Sequence, residues 1–354
     1  MSSPWSPIHA RLHRTLRQRQ LLPSGCRAIL AVSGGQDSLA LTRLLLDLQP
    51  KWQWTLAVAH CDHRWRPDSA DNAAHVERLS QQWHLPCWIA TASSTDAIAS
   101  EAAARQWRYR QLTALAQTHS FSHVVTGHTA SDRAETLLYN LMRGSGTDGL
   151  QALTWCRRLD PSSEPPWLVR PLLDLFRQET AAICAQFDLP VWEDSTNFDQ
   201  RYARNRIRSQ LLPHLKTTFN GGVERHLAQT AELLRADVAC LESLVDGLWQ
   251  EAVQIVGANI AANSSRLLDY RLCQKSLQAA PLALQRRLLR RLLQQTETAI
   301  SFEGLNTVVA LITAPNRSQS PPLRGGIVGY VESGWIAFKA GADLPQSRPP
   351  VNES

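Results

Sequence analysis

The sequence predicts an α/β fold, a doubly wound parallel sheet followed by a smaller α-rich C-terminal domain. Three observations carry this. Short apolar runs alternate with amphipathic stretches long enough to cross back over a sheet. Polar clusters stand at the carboxyl ends of three of those runs, where open α/β sheets bind ligands. Finally, 354 residues that are 44% hydrophobic and 19% charged can bury a sizeable core without staples.

The elements follow in order. After an Arg-rich amphipathic stretch from Ile8 to Leu22, Arg27 to Val32 reads as a buried strand. A turn at Ser33-Gly34-Gly35-Gln36-Asp37-Ser38 leads into a helix from Leu39 to Leu48. Strands are predicted at Thr55 to His60, Cys87 to Thr91 and His123 to Thr126; helices at Ser69 to His84, Glu101 to Thr118 and Asp132 to Met142. Thr154 to Arg170, rich in Pro, Ser and charge, reads as a loop. Helical patterns resume at Phe176 to Phe187 and Arg201 to Leu215. Phe219-Asn220-Gly221-Gly222 reads as a hinge, giving a catalytic domain over 1–218 and a second domain over 219–340. In that second domain Val223 to Val256 and Leu282 to Leu293 are predicted helices, Gly325 to Phe338 could supply strands, and 341–354 reads as a disordered tail.

Composition narrows the function classes. No apolar run approaches the roughly 18 residues of a membrane span, and the N-terminus lacks a basic region followed by an apolar one. A cytoplasmic location is therefore expected. The seven cysteines are scattered, with no C-x-x-C, against a disulfide framework or a zinc ribbon. The net charge is +6, and with only four lysines among 37 basic residues, 33 are arginines. Arg binds phosphate in a bidentate way, so this suits a nucleic-acid partner; a GC-rich genome would produce the same bias.

Two consecutive glycines between strand and helix let backbone N–H groups converge on an anion. The loop Ser33 to Ser38 is thus a candidate phosphate cradle. It lacks the Lys of G-x-x-x-x-G-K-[ST] and is not G-x-G-x-x-G. His60, Cys61, Asp62 and His63 resemble a metal cluster in composition, but neighbouring strand residues alternate faces and no second ligand pair follows.

Ser-Gly-Gly-x-Asp-Ser after a strand resembles the signature of the PP-loop ATP pyrophosphatases, of the adenine nucleotide alpha hydrolase-like fold. Within them the resemblance sharpens to the tRNA(Ile)-lysidine synthetase family. It rests on His63 to Arg66 with Ser69, Glu101 with Arg105, Arg108 and Tyr109, and Gly127-His128 with Asp132, Glu135 and Thr136. It continues through Arg143-Gly144-Ser145-Gly146, Gly149-Leu150, Arg170-Pro171-Leu172-Leu173, Asp194-Ser195 with Asn197, and Arg204-Asn205-Arg206-Ile207-Arg208 with Leu212-Pro213. Two departures stand out. Ser131 replaces the first of two acids before Glu-Thr, and Arg64-Trp65 replaces a common Gly-Leu.

The resemblance implies an ATP-dependent carbon–nitrogen ligase that joins free lysine to C2 of the wobble cytidine of tRNA(Ile) bearing a CAU anticodon. Cytosine O2 attacks the α-phosphate, pyrophosphate leaves, and the lysine amine attacks C2 and expels AMP. Ser33, Gly34, Gly35, Gln36, Asp37, Ser38 and His60 would then bind ATP, with Asp37 holding Mg²⁺ through pyrophosphate. Arg108, and less directly Arg105, would face the α-phosphate. Asp132 and Glu135 would dock the lysine ammonium and take its proton, and Arg201, Arg204, Arg206 and Arg208 would meet the tRNA. A homodimer is possible. Read without the resemblance, Asp132 and Glu135 equally suit a helix N-terminus, and Arg201, Arg204 and Arg208 a solvated face. Ser145 lacks a recognisable base, so its loop reads as a mobile flap. The competing functions are a tRNA 2-thiolation enzyme of the same superfamily, which would need cysteine pairs, and a catalytically silent ATP- and tRNA-binding protein.

Overall fold

A computed structural model describes residues 5–96, 98, 100–160, 165–193, 199–256, 267–295, 301–323 and 326–340. The chain divides into two compact units, 1–235 and 236–354. The predicted tail and the Asp194 to Asn197 segment lie outside the described residues.

The first unit opens with α1 (Pro7–Gln18), β1 (Arg27–Ala31), α2 (Gln36–Trp52), β2 (Thr55–Asp62), α3 (Ser69–Gln82), β3 (Cys87–Thr91), α4 (Glu101–Thr118) and β4 (His123–Thr126). It continues with α5 (Ala130–Met142), α6 (Thr147–Leu150), β5 (Cys156–Arg158), β6 (Trp167–Val169), α7 (Arg177–Gln186), α8 (Ala203–Arg206) and α9 (Leu212–Thr218). The sheet order is β3-β2-β1-β4-β6-β5, parallel except for β5 at one edge. Strands 2 and 3 extend to one side of β1 while β4 joins on the other, so the order reverses between β1 and β4. That reversal opens a crevice at the strands' carboxyl ends.

Burial of β1 on both faces explains its unbroken apolar run. Ala28 and Leu30 pack into one core with Leu12, Leu41, Leu45 and Leu172, while Ile29 packs into the opposite core with Leu112 and Val124. Three sequence readings are corrected. Thr154 to Arg170 supplies β5 and β6 rather than a loop, because Leu168 and Val169 complete the two cores on either side of the sheet. The helix predicted to end at Leu48 runs through Pro50 to Trp52, since a proline in the last turn removes a single hydrogen bond. Arg201 to Leu215 is not one α-helix: α8 starts at Ala203, and Ile207–Leu211 forms a π-helical turn before α9.

The long α10 (Val223–Ala252) follows, and the boundary between the units falls within it, beyond the Phe219 to Gly222 segment. The second unit then contains β7 (Val253–Ile255), β8 (Tyr270–Cys273), α11 (Gln274–Ala279), α12 (Leu282–Gln295), α13 (Phe302–Ala310), β9 (Ile327–Glu332) and β10 (Trp335–Ala340). Its α-rich character holds, and a four-stranded antiparallel sheet, β7-β8-β10-β9, is added to it. Alternating Arg and Leu pairs in α12 separate by face. Leu288, Leu289, Leu292 and Leu293 are buried, while Arg287 and Arg291 pair with Glu242 and Asp246 of α10. No helix among the described residues is long and apolar enough to cross a membrane.

Candidate active site

The Ser33 to Ser38 loop leaves β1 at the crevice. Gly34 has φ +85°, and a Cβ there would stand 2.5 Å from Asn72 Oδ1, so only glycine fits. The loop braces itself: Ser33 N–H donates to Ser38 Oγ at 3.2 Å, and Ser38 Oγ donates to Gly35 O at 2.8 Å. Gly35 caps α2 without a side chain, which leaves first-turn amides open to an anion. A second glycine is equally constrained, because a Cβ on Gly127 would lie 2.8 Å from the Asp37 carbonyl. The tip of β4 therefore rests against the first turn of α2. His60 is buried and bonds the Val32 carbonyl through Nδ1 at 2.8 Å, just before the loop. Burial lowers its pKa, which keeps the ring neutral.

Asp132 and Glu135 both project from the first turns of α5 into the crevice. Asp132 closes a capping box, accepting from Thr129 N and Thr129 Oγ1 at 2.8 Å each. Its other oxygen takes Arg177 Nη2 at 3.0 Å and Arg204 Nη2 at 3.3 Å. Glu135 is fully buried and receives Arg177 Nη1 at 2.9 Å, Arg204 Nε at 3.2 Å, and Arg208 through Nε at 2.8 Å and Nη2 at 3.0 Å. Burial would raise both pKa values. Arg204 and Arg177 outweigh it at Asp132, and Arg208 and Arg177 at Glu135, so both are lowered. Such carboxylates are strong docking charges but weak proton acceptors, which separates the two tasks expected of them.

Asp37 completes the acidic group. Thr180 Oγ1 donates to it at 2.5 Å and Arg177 Nε lies 3.4 Å away. Burial, then the charge of Asp132, push its pKa up against Arg177 and Thr180. Asp37 is thus the carboxylate with negative charge to spare, which fits a divalent cation held by one carboxylate and substrate phosphates. No group of three or more metal-ligating side chains exists among the described residues, so the His60 to His63 segment is not a preformed metal centre.

Sequence reading missed Arg177, the guanidinium that touches all three acids. A signal was present: Arg at the first position of a helix opposes the macrodipole and needs an acidic partner. Ser131 also gains a role, because its hydroxyl accepts the Arg177 backbone N–H at 3.1 Å. The predicted arginine face divides. Arg204 and Arg208 point into the acids, whereas Arg201 lies before α8 begins, 87% exposed and paired with Asp199. Arg206 is exposed and donates to the carbonyls of Gln200 and Arg201. Arg108 is half-buried; its charge acts on Cys61 near the end of β2, on His63 just after it and on His128 after β4, all at the carboxyl ends of those strands. Thr147 to Leu150 folds as the short α6, tied by Asn140 Nδ2 donating to the Gly149 carbonyl at 2.7 Å.

A glycine-rich loop at the point where strand order reverses, facing buried acids across the crevice, defines a PP-loop nucleotide-binding protein. Residues 7–215 match the PP-loop domain family. A tRNA(Ile)-lysidine synthase of Nostoc sp. is 54% identical over 95% of this chain and 98% of its own length. That of Synechocystis sp. is 48% identical over 94% and 98%, and a chloroplastic one from Zygnema circumcarinatum 34% identical over 87% and 81%. This chain belongs to the tRNA(Ile)-lysidine synthase family. Among solved structures, a U34-tRNA thiolase from Methanococcus maripaludis shares the fold, with a TM-score of 0.53 and 14% identity over 64% of this chain and 78% of that one.

Proposed function

We propose that this chain joins free lysine to C2 of the wobble cytidine of tRNA(Ile) with a CAU anticodon, consuming ATP and passing through an adenylated RNA. Membership of the family over nearly the whole length of its relatives carries the reading. The crevice supplies groups suited to each step. The Gly34, Gln36 and Asp37 amides of the loop would receive pyrophosphate, and Asp37 would hold Mg²⁺, which neutralises the leaving group's charge. Arg108 faces the α-phosphate, where charge grows during cytosine O2 attack. Asp132 and Glu135 hold the ε-ammonium of lysine near C2; in the resting site three guanidiniums occupy that role. Arg201 and Arg206, exposed on the surface, suit RNA phosphates, and the second domain over 219–340 would contribute to tRNA binding. The reaction belongs in the cytoplasm, where ATP, lysine and tRNA meet.

The thiolation alternative is not favoured: the seven cysteines include no C-x-x-C pair, and the relatives' names point to lysidine formation. The test is Asp132→Asn, which keeps the helix cap and removes the charge. Adenylated RNA should accumulate while lysidine fails to form. Normal lysine use, or loss of ATP–pyrophosphate exchange alone, would overturn the role.

A further inference from the structure

A second charged cluster lies in the first unit, apart from the acids. Tyr109 on α4 is ringed by arginines: the guanidinium carbons of Arg105, Arg108 and Arg157 stand 5.3, 5.9 and 5.0 Å from its ring centroid. Arg170, 2% exposed, approaches the phenol from the end of β6 and is anchored by donating to the Thr154 carbonyl at 2.7 Å. None of the four lies within ion-pair distance of a carboxylate among the described residues. The Tyr109 hydroxyl and Arg170 Nε are buried and make no hydrogen bond of normal length, although the Arg170 guanidinium is near enough to act on the phenol. Gathering four like charges around one phenol is unfavourable for the fold alone, because like charges in a partly desolvated setting repel. Such an arrangement is stable in use when an anion with several acceptor oxygens enters it.

We infer that Arg105, Arg108, Arg157 and Arg170, with the Tyr109 hydroxyl, form a receptor for phosphate esters, and that its occupant is the RNA backbone beside the target cytidine. This rests on the proposed activity and extends it, since Tyr109, Arg157 and Arg170 have no part in that reading. The charge favours RNA over nucleotide: an α-phosphate is met by Arg108 and the loop amides, whereas phosphates on both sides of a flipped-out base need more cations. Arg108, present in both descriptions, would join the nucleotide end of the crevice to the RNA end.

The experiment uses the full chain and a CAU anticodon stem-loop RNA, with affinity measured without turnover across a salt series and KM for ATP measured separately. Arg170 is avoided because it is buried; Arg157→Gln removes a half-buried cation and Tyr109→Phe removes the phenol's hydroxyl. Arg157→Gln should weaken RNA binding about tenfold and lower the slope of log affinity against log salt by about 0.7. Tyr109→Phe should weaken binding about threefold with the slope kept. Arg157→Lys should restore the slope, which a merely structural arginine would not do. If instead KM for ATP rises while RNA affinity holds, the phosphate bound is the nucleotide's and the RNA assignment is overturned. Unchanged RNA affinity, slope and KM in both variants would overturn the receptor itself. Failure of the unsubstituted chain to make lysidine would sink the activity reading alone.

Discussion

The two arginine clusters of the catalytic unit use one residue type in opposite ways. Around Asp37, Asp132 and Glu135, three guanidiniums meet the carboxylates, fully at Asp132 and Glu135 and through Arg177 alone at Asp37. Around Tyr109, four guanidiniums meet no carboxylate among the described residues. Compensated charge is architecture that a small cationic substrate can enter only by exchange. Uncompensated charge is held ready for an anion, and the difference separates the lysine end of the crevice from the phosphate end.

The comparison is broken most severely at Asp37, the acid with spare negative charge. Asp37→Ala should abolish adenylation and leave the fold intact; exchange of pyrophosphate within about tenfold of the parent, ~1.4 kcal/mol of barrier, would contradict its place in the chemistry. Next is Glu135→Gln, which leaves three guanidiniums around a buried amide. Denaturant titration should show a loss of about 3 kcal/mol, the lower end for a broken buried pair because its partners are partly exposed.

Titration sharpens the contrast. Asp132 and Glu135 have lowered pKa values, so their stabilisation is present above the unfolded-state values near 4 and is lost only as pH falls through the lower folded values. Asp37 runs the other way: its raised pKa gives a contribution present below the unfolded value and lost as pH rises through the folded one. Stability curves of Asp37→Asn and Asp132→Asn against pH should therefore diverge from the parent in opposite senses. At the open cluster, burial would raise the Tyr109 phenol, but Arg105, Arg170 and Arg108 bring it down to about 8. Ultraviolet difference spectra of parent minus Tyr109→Phe should show one phenol ionising near pH 8, and bound RNA should move that midpoint upward. The smallest effect is at Ser131. Ser131→Ala removes the acceptor of the Arg177 N–H and should cost about 1 kcal/mol, while Ser131→Asp should change the rate only modestly; a large gain would mean a weakened enzyme.

Local pattern made much of this legible. The boundaries of α4, β3 and β4 could be read from period and turn chemistry, and the loop from two glycines beside an acid. What stayed hidden depends on distance along the chain. β5 and β6 are short edge strands among prolines, and their role comes from pairing with β4. Arg177 carries no motif of its own; its importance appears once the fold brings it to Asp37 and Asp132. Arg201 and Arg208 looked alike in a helical projection and were separated by where α8 actually starts.

The burial of Glu135 also bears on synthesis. Its partners Arg177, Arg204 and Arg208 follow it by 42, 69 and 73 residues. During translation α5 leaves the ribosome long before any cation that can neutralise it, and an unpaired carboxylate resists desolvation. Arg177 can meet Glu135 first, but full neutralisation of the buried carboxylate waits until Arg208 has emerged. Closure of the site is thereby coupled to completion of the unit that contains it, so a truncated chain ending before α8 presents no finished pocket to ATP in the cell.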